Sequence, residues 1–142
     1  MRTLTPIRVA VALLLLATLA LTACGSDAES AEGSRTIELG MEDSGGTVTA
    51  QPGDEIVVTL ESNASTGFAW VLVTEPASEV VDLVDSEYAE PEDTGLVGAP
   101  GEEVWTFVAT GEGTTAIAMS YQRSSGETAG EPFDLTVLVR SA

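Results

Sequence analysis

The segment Phe133-Asp134-Leu135-Thr136-Val137-Leu138-Val139 puts an apolar side chain at every second position, and this period of two recurs along most of the chain beyond residue 35. Such alternation places one set of side chains on a single face of an extended strand, with the other set facing away. Ile37 and Leu39 begin the series, and residues 46–50 form a short Thr/Val run closed by Pro52-Gly53-Asp54. Ile56, Val58 and Leu60 share a face, as do Phe68, Trp70 and Leu72. Residues 80–85 make a weaker strand, and residues 103–110 carry Trp105 and Phe107 on one side. Thr115, Ile117, Met119 and Tyr121 then oppose the small Ala116, Ala118 and Ser120, after a Gly111-Glu112-Gly113 turn. No helical period competes with this pattern. The expected fold is all-β, an antiparallel sandwich of about eight strands with Trp70, Trp105 and Phe133 in its core.

The first residues read as an address. Arg2 and Arg8 supply a basic start, residues 9–21 an apolar stretch, and Leu21-Thr22-Ala23 a small-residue cleavage site. The apolar stretch is short for a membrane span. Cys24, the single cysteine, follows at once, and "LTAC" resembles a bacterial lipoprotein box. That resemblance implies removal of residues 1–23 and lipidation of Cys24. It also implies an exported protein anchored to the bacterial cell membrane or envelope, with its domain outside the cytoplasm. Residues 24–34 then read as a small, polar tether that reaches ~20 Å. Residues 35–142 are the length of one small domain.

Removal of Arg2 and Arg8 leaves three arginines against 23 acids, a formal charge of −20. An acidic surface of that size argues against nucleic acid as a partner and favours a soluble monomer. The chain has no histidine and no lysine. Ser-His-Asp, Cys-His and Ser-Lys nucleophile pairs are therefore excluded, as are zinc sites built on His and Cys. Asp43-Ser44-Gly45 and Asp93-Thr94-Gly95 match the aspartate triplet of acid proteases. Neither follows an apolar strand, and both read as turns. Glu87, Glu90, Glu92 and Asp93 lack the alternation of a calcium loop and read as a solvated acidic loop. No catalytic residue, cofactor or metal is expected.

Three connections exceed the usual hairpin length, at residues 62–67, 89–102 and 123–131. Long loops on a rigid β scaffold are where recognition concentrates. The first contains "SNASTGFAW", which resembles the "NPTTG[FY]xW" loop of the chagasin family of cysteine-protease inhibitors. "PGDEIVVTLESN" resembles the strand that leads into that loop. Leu96-Val97-Gly98-Ala99-Pro100-Gly101-Glu102-Glu103 resembles the family's glycine-rich loop, Tyr121-Gln122-Arg123 the "Y-x-R-P-W" entry to a third loop, and "FDLTVLV" the closing strand.

The resemblance spans the whole domain, with the motifs in the family's order. It implies an immunoglobulin-like sandwich whose three neighbouring loops enter the active-site cleft of a papain-like protease and block it reversibly. Asn63, Ala64, Ser65, Thr66 and Gly67 would form the central wedge, with Thr66 and Gly67 nearest the protease's catalytic Cys and His. Gly98, Ala99, Pro100 and Gly101 would brace one side of the cleft and Arg123 the other. Alanine replaces the family's proline at Ala64, Ser65 stands at a threonine-type position, and Pro100 takes the place of a loop glycine. Ser124-Ser125 replaces Pro-Trp. An interface aromatic is worth about 2 kcal/mol or more, so roughly thirty-fold weaker binding is expected from that last change. The alternative reading is an envelope binding module that keeps the sandwich without inhibiting any protease.

Overall fold

The computed structural model describes residues 33–92 and 95–142. The leader, Cys24, most of the tether, and Asp93-Thr94 of the second aspartate triplet lie outside the described residues. Eight strands form two four-stranded sheets. They are β1 (Thr36–Leu39), β2 (Gly46–Ala50), β3 (Glu55–Ser62), β4 (Phe68–Thr74), β5 (Val81–Ala89), β6 (Gly101–Ala109), β7 (Gly113–Arg123) and β8 (Phe133–Val139). The first sheet runs β1-β3-β6-β5 and the second β2-β8-β7-β4.

The alternation read from the sequence becomes the inner faces. Ile56, Val58 and Leu60 of β3 face Trp105 and Phe107 of β6, while Ile117, Met119, Phe133, Leu135 and Val137 fill the space from the second sheet. All are buried, and fully burying side chains of this size contributes about 1.5–3 kcal/mol each. The outer faces differ from one another. The pairing register puts Glu38, Glu55, Glu61, Asp82, Asp85, Glu87 and Glu102 on the outside of the first sheet. On the outside of the second sheet it puts Val71, Ala116, Ala118, Ser120, Thr136 and Leu138, with Asp134 as the acid.

Three features depart from the sequence expectation. Most pairings are antiparallel, but β1 pairs with β3, and β2 with β8, in parallel. The cause is the reversal after β1: a 3-10 turn at Met41–Asp43 followed by Ser44 and Gly45 sends the chain back in the other sheet. This segment includes the Asp43-Ser44-Gly45 triplet, so that triplet is a turn. The weak fifth strand runs on to Ala89, past a register shift between Leu83 and Asp85 that interrupts its alternation. The third connection is partly paired, because Arg123 N–H donates to Glu127 O and Ala129 N–H to Tyr121 O.

Candidate functional site

β3, β5 and β7 end, and β4, β6 and β8 begin, at one end of the sandwich. Residues 63–67, 90–92 with 95–100, and 124–132 therefore emerge together there. Arg35, the turn at residues 51–54 and Arg140 mark the opposite end, since Arg35 N–H and Gln51 N–H both donate to Asp54 and Arg140 N–H donates to Ala50 O.

The first loop is organised by Asn63. Its Oδ1 accepts from the Ser65 N–H at 3.1 Å and the Ser65 hydroxyl at 2.6 Å. Its main-chain carbonyl accepts from the Thr66 N–H at 3.0 Å and the Thr66 hydroxyl at 2.7 Å. These bonds wind Ala64–Thr66 into a single 3-10 turn, which Gly67 ends in the left-handed region at φ 77°. A side chain there would be strained, so the turn calls for glycine. Ala64, Ser65, Thr66 and Gly67 are all exposed.

Beneath the loop lies an aromatic floor. The Tyr121 hydroxyl accepts from the Asn63 N–H at 2.8 Å, and the Tyr121 ring packs 5.4 Å from Phe68 and 5.3 Å from Trp70. Trp70 Nε1 donates to Glu61 O at 3.0 Å, which ties the strand after the loop to the strand before it.

Two hydrogen bonds join the other loops to the first. Asn63 Nδ2 donates to Gly98 O at 3.0 Å, and Arg123 Nε donates to Thr66 O at 3.2 Å. The Arg123 guanidinium also lies over Phe68, 4.4 Å from the ring centre, and pairs with Glu127 at 2.9 Å. Asn63, Ala64, Ser65, Thr66, Gly67, Gly98 and Arg123 thus form one connected cluster. Ala99 is half-buried and Pro100 exposed beside it. Gly101 is buried under Ala89 and Tyr88, so it positions the second loop from below.

Leu96 and Val97 belong to the glycine-rich motif but were not among the contact residues expected from the sequence. They stand 74% and 106% exposed next to Gly98, the most exposed large apolar side chains among the described residues. The signal for them was present: an adjacent apolar pair in a polar connection, in a chain that otherwise sends such residues inward.

The Ser65 and Thr66 hydroxyls both donate within the loop. The arrangement is a hydrogen-bonded set of loops, and the class it defines is a β-sandwich that presents linked loops at one end. Residues 49–137 match the model described as "Chagasin family peptidase inhibitor I42". The chain is 34% identical over 82 residues to chagasin from Trypanosoma cruzi, covering 56% of this chain and 74% of chagasin. The solved cysteine protease inhibitor EhICP2 from Entamoeba histolytica superposes with a TM-score of 0.66 at 26% identity, over 75% of this chain and 97% of that one. PbICP-C, solved in complex with falcipain-2, shares the fold with a TM-score of 0.54 at 19% identity, over 76% of this chain and 92% of that one. The chain belongs to the chagasin family of peptidase inhibitors. Members of this family inhibit proteases and are not enzymes.

Proposed function

We propose that this domain is a reversible, occluding inhibitor of papain-like cysteine proteases, with residues 63–67 as the central wedge. The observation that carries the reading is the coupling of three loops through Asn63–Gly98 and Arg123–Thr66, which links them into one edge. Rigidity before binding lowers the ordering cost of association. Similarity to chagasin and to the cysteine protease inhibitor EhICP2 supports the same reading. In it, Thr66 and Gly67 meet the protease's catalytic groups, Leu96 and Val97 lie against an apolar wall of the cleft, and Arg123 holds the wedge upright.

The anchoring part of the proposal is that Cys24 carries lipid at the cell envelope. Arg35, where the domain begins, lies at the end away from the loops, an arrangement that suits a tethered inhibitor facing outward. Incubation of residues 25–142 with a panel of papain-like proteases tests the inhibitory reading. Competitive, reversible inhibition is expected. No inhibition at micromolar concentration by any of them would leave the non-inhibitory binding module in its place. Replacing Thr66 and Gly67 by bulky residues should abolish inhibition; variants that inhibit like the parent would show that another surface is used.

A further inference from the structure

The core-facing positions of β6 are Gly101, Glu103, Trp105, Phe107 and Ala109, so a carboxylate stands in a series that is otherwise small or apolar. Its neighbours across the pairing are Leu60 and Tyr88. A charge on the inward side of a sandwich is costly unless hydrogen bonds satisfy it. The bonds Glu103 makes explain its place. Glu103 Oε1 accepts from the Ser62 hydroxyl at 2.7 Å, and the Trp70 N–H donates to Oε1 at 3.1 Å and Oε2 at 3.2 Å.

Ser62 is the last residue of β3, immediately before the first loop, and Trp70 lies in β4 just after it. One carboxylate on β6, the neighbour of β3 in the first sheet, therefore holds both stems of the loop, Ser62 in its own sheet and Trp70 in the facing one. Trp70 N–H points away from β7, toward the edge of β4 where no strand among the described residues pairs. Glu103 supplies the acceptor there.

We infer that Glu103 is the positioning residue of the first loop: it fixes the separation of the stems and so sets how well residues 63–67 are preorganised for a protease cleft. This rests on the inhibitory reading for its effect on affinity, but its effect on the loop stands independently. A preorganising contact acts chiefly on the lifetime of a complex.

The test compares Glu103→Gln and Glu103→Met in residues 25–142, the segment that contains the whole hydrophobic core. Gln keeps one acceptor oxygen for both stems. Met keeps the length and suits the apolar neighbours Leu60 and Trp105. With papain as the probe, Glu103→Met should dissociate about tenfold faster, with the association rate within about threefold of the parent and Glu103→Gln near the parent. Hydrogen exchange at the Thr66 and Gly67 amides should quicken by about tenfold in Glu103→Met alone, while amides in β3 and β8 keep their protection. Lost protection throughout the core in Glu103→Met, or equal dissociation and loop exchange in all three proteins, would overturn the inference. If the parent does not bind papain, the inhibitory reading fails for that enzyme, and the exchange measurement alone decides the role of Glu103.

Discussion

A Cβ built on Gly67 would meet nothing within 4 Å, whereas one on Gly101 would stand 2.6 Å from the Tyr88 hydroxyl and closer still to the Ala89 carbonyl oxygen. Gly67 is thus required by its backbone angle and Gly101 by the neighbours packed over it. Gly67→Val should cost about 1–2 kcal/mol, the penalty of the left-handed region, and leave a folded protein. Gly101→Ala must push β5 away from β6 and should cost about 1–3 kcal/mol as an overpacking change. Urea denaturation of both variants checks the two values. Ala64 offers a change in the other direction. It opens the 3-10 turn, its N–H makes no hydrogen bond, and Asn63 before it is already extended at φ −122°, ψ 94°. Proline fits both requirements. Ala64→Pro should therefore stabilise the fold by about 0.4–1 kcal/mol, read as a raised Tm, by restricting the unfolded chain.

Among the elements, the second loop separates binding from stability most cleanly. Leu96 and Val97 are exposed at its tip and contribute little to the fold. Replacing both by Ser should leave stability within about 0.5 kcal/mol. The same change should weaken protease inhibition by about tenfold or more, as for truncated apolar contacts at an interface centre. Parallel thermal melts and inhibition titrations give the two numbers; unchanged inhibition would place the contact elsewhere. The sequence made the strands of this sandwich legible because alternation is a local signal, and Ile56-Val57-Val58-Thr59-Leu60 carries it without interruption. It left β5 short because the register shift between Leu83 and Asp85 breaks the period. It led to an antiparallel expectation that holds for most pairings but not for β1 with β3 or β2 with β8, since partner choice depends on residues far away in the chain. The same distinction holds at the site. "STGFAW" marks the first loop through neighbouring residues, but the Asn63–Gly98 and Arg123–Thr66 bonds span 35 and 57 positions. Arg123 was read as a contact for the partner, and its guanidinium also joins the third loop to the first.

For the whole molecule, the domain has two unlike ends. One carries the loops; the other gathers Arg35, the turn before β3 and the C-terminal residues. Strands of up to 11 residues, as in β7, separate the ends by roughly 35 Å. Two carboxylates at the second end have lowered pKa values. Hydrogen bonds from the Ser141 hydroxyl and N–H hold Glu112 below its usual value. Burial pushes the Asp54 carboxyl up, but the Gln51 N–H and the Arg35 guanidinium and N–H outweigh it and hold the group below its ordinary value of 3.8. Arg35 Nε approaches Asp54 Oδ2 at 2.7 Å, and the Asp54 side chain is only 5% exposed. Because the folded-state pKa lies below the unfolded one, ionised Asp54 contributes stability that is fully present above 3.8 and lost as pH falls through the folded value. Asp54→Asn should therefore be less stable than the parent near neutral pH, by about 1–3 kcal/mol for the charged hydrogen bonds it weakens. The difference should narrow only once the pH drops below about 4. Denaturant midpoints of the two proteins between about pH 7 and pH 2 measure it. A gap that stays constant across that range would mean that Asp54 acts through packing and that its charge contributes nothing. Since the loops lie at the other end, Asp54→Asn should inhibit a protease as the parent does wherever it remains folded.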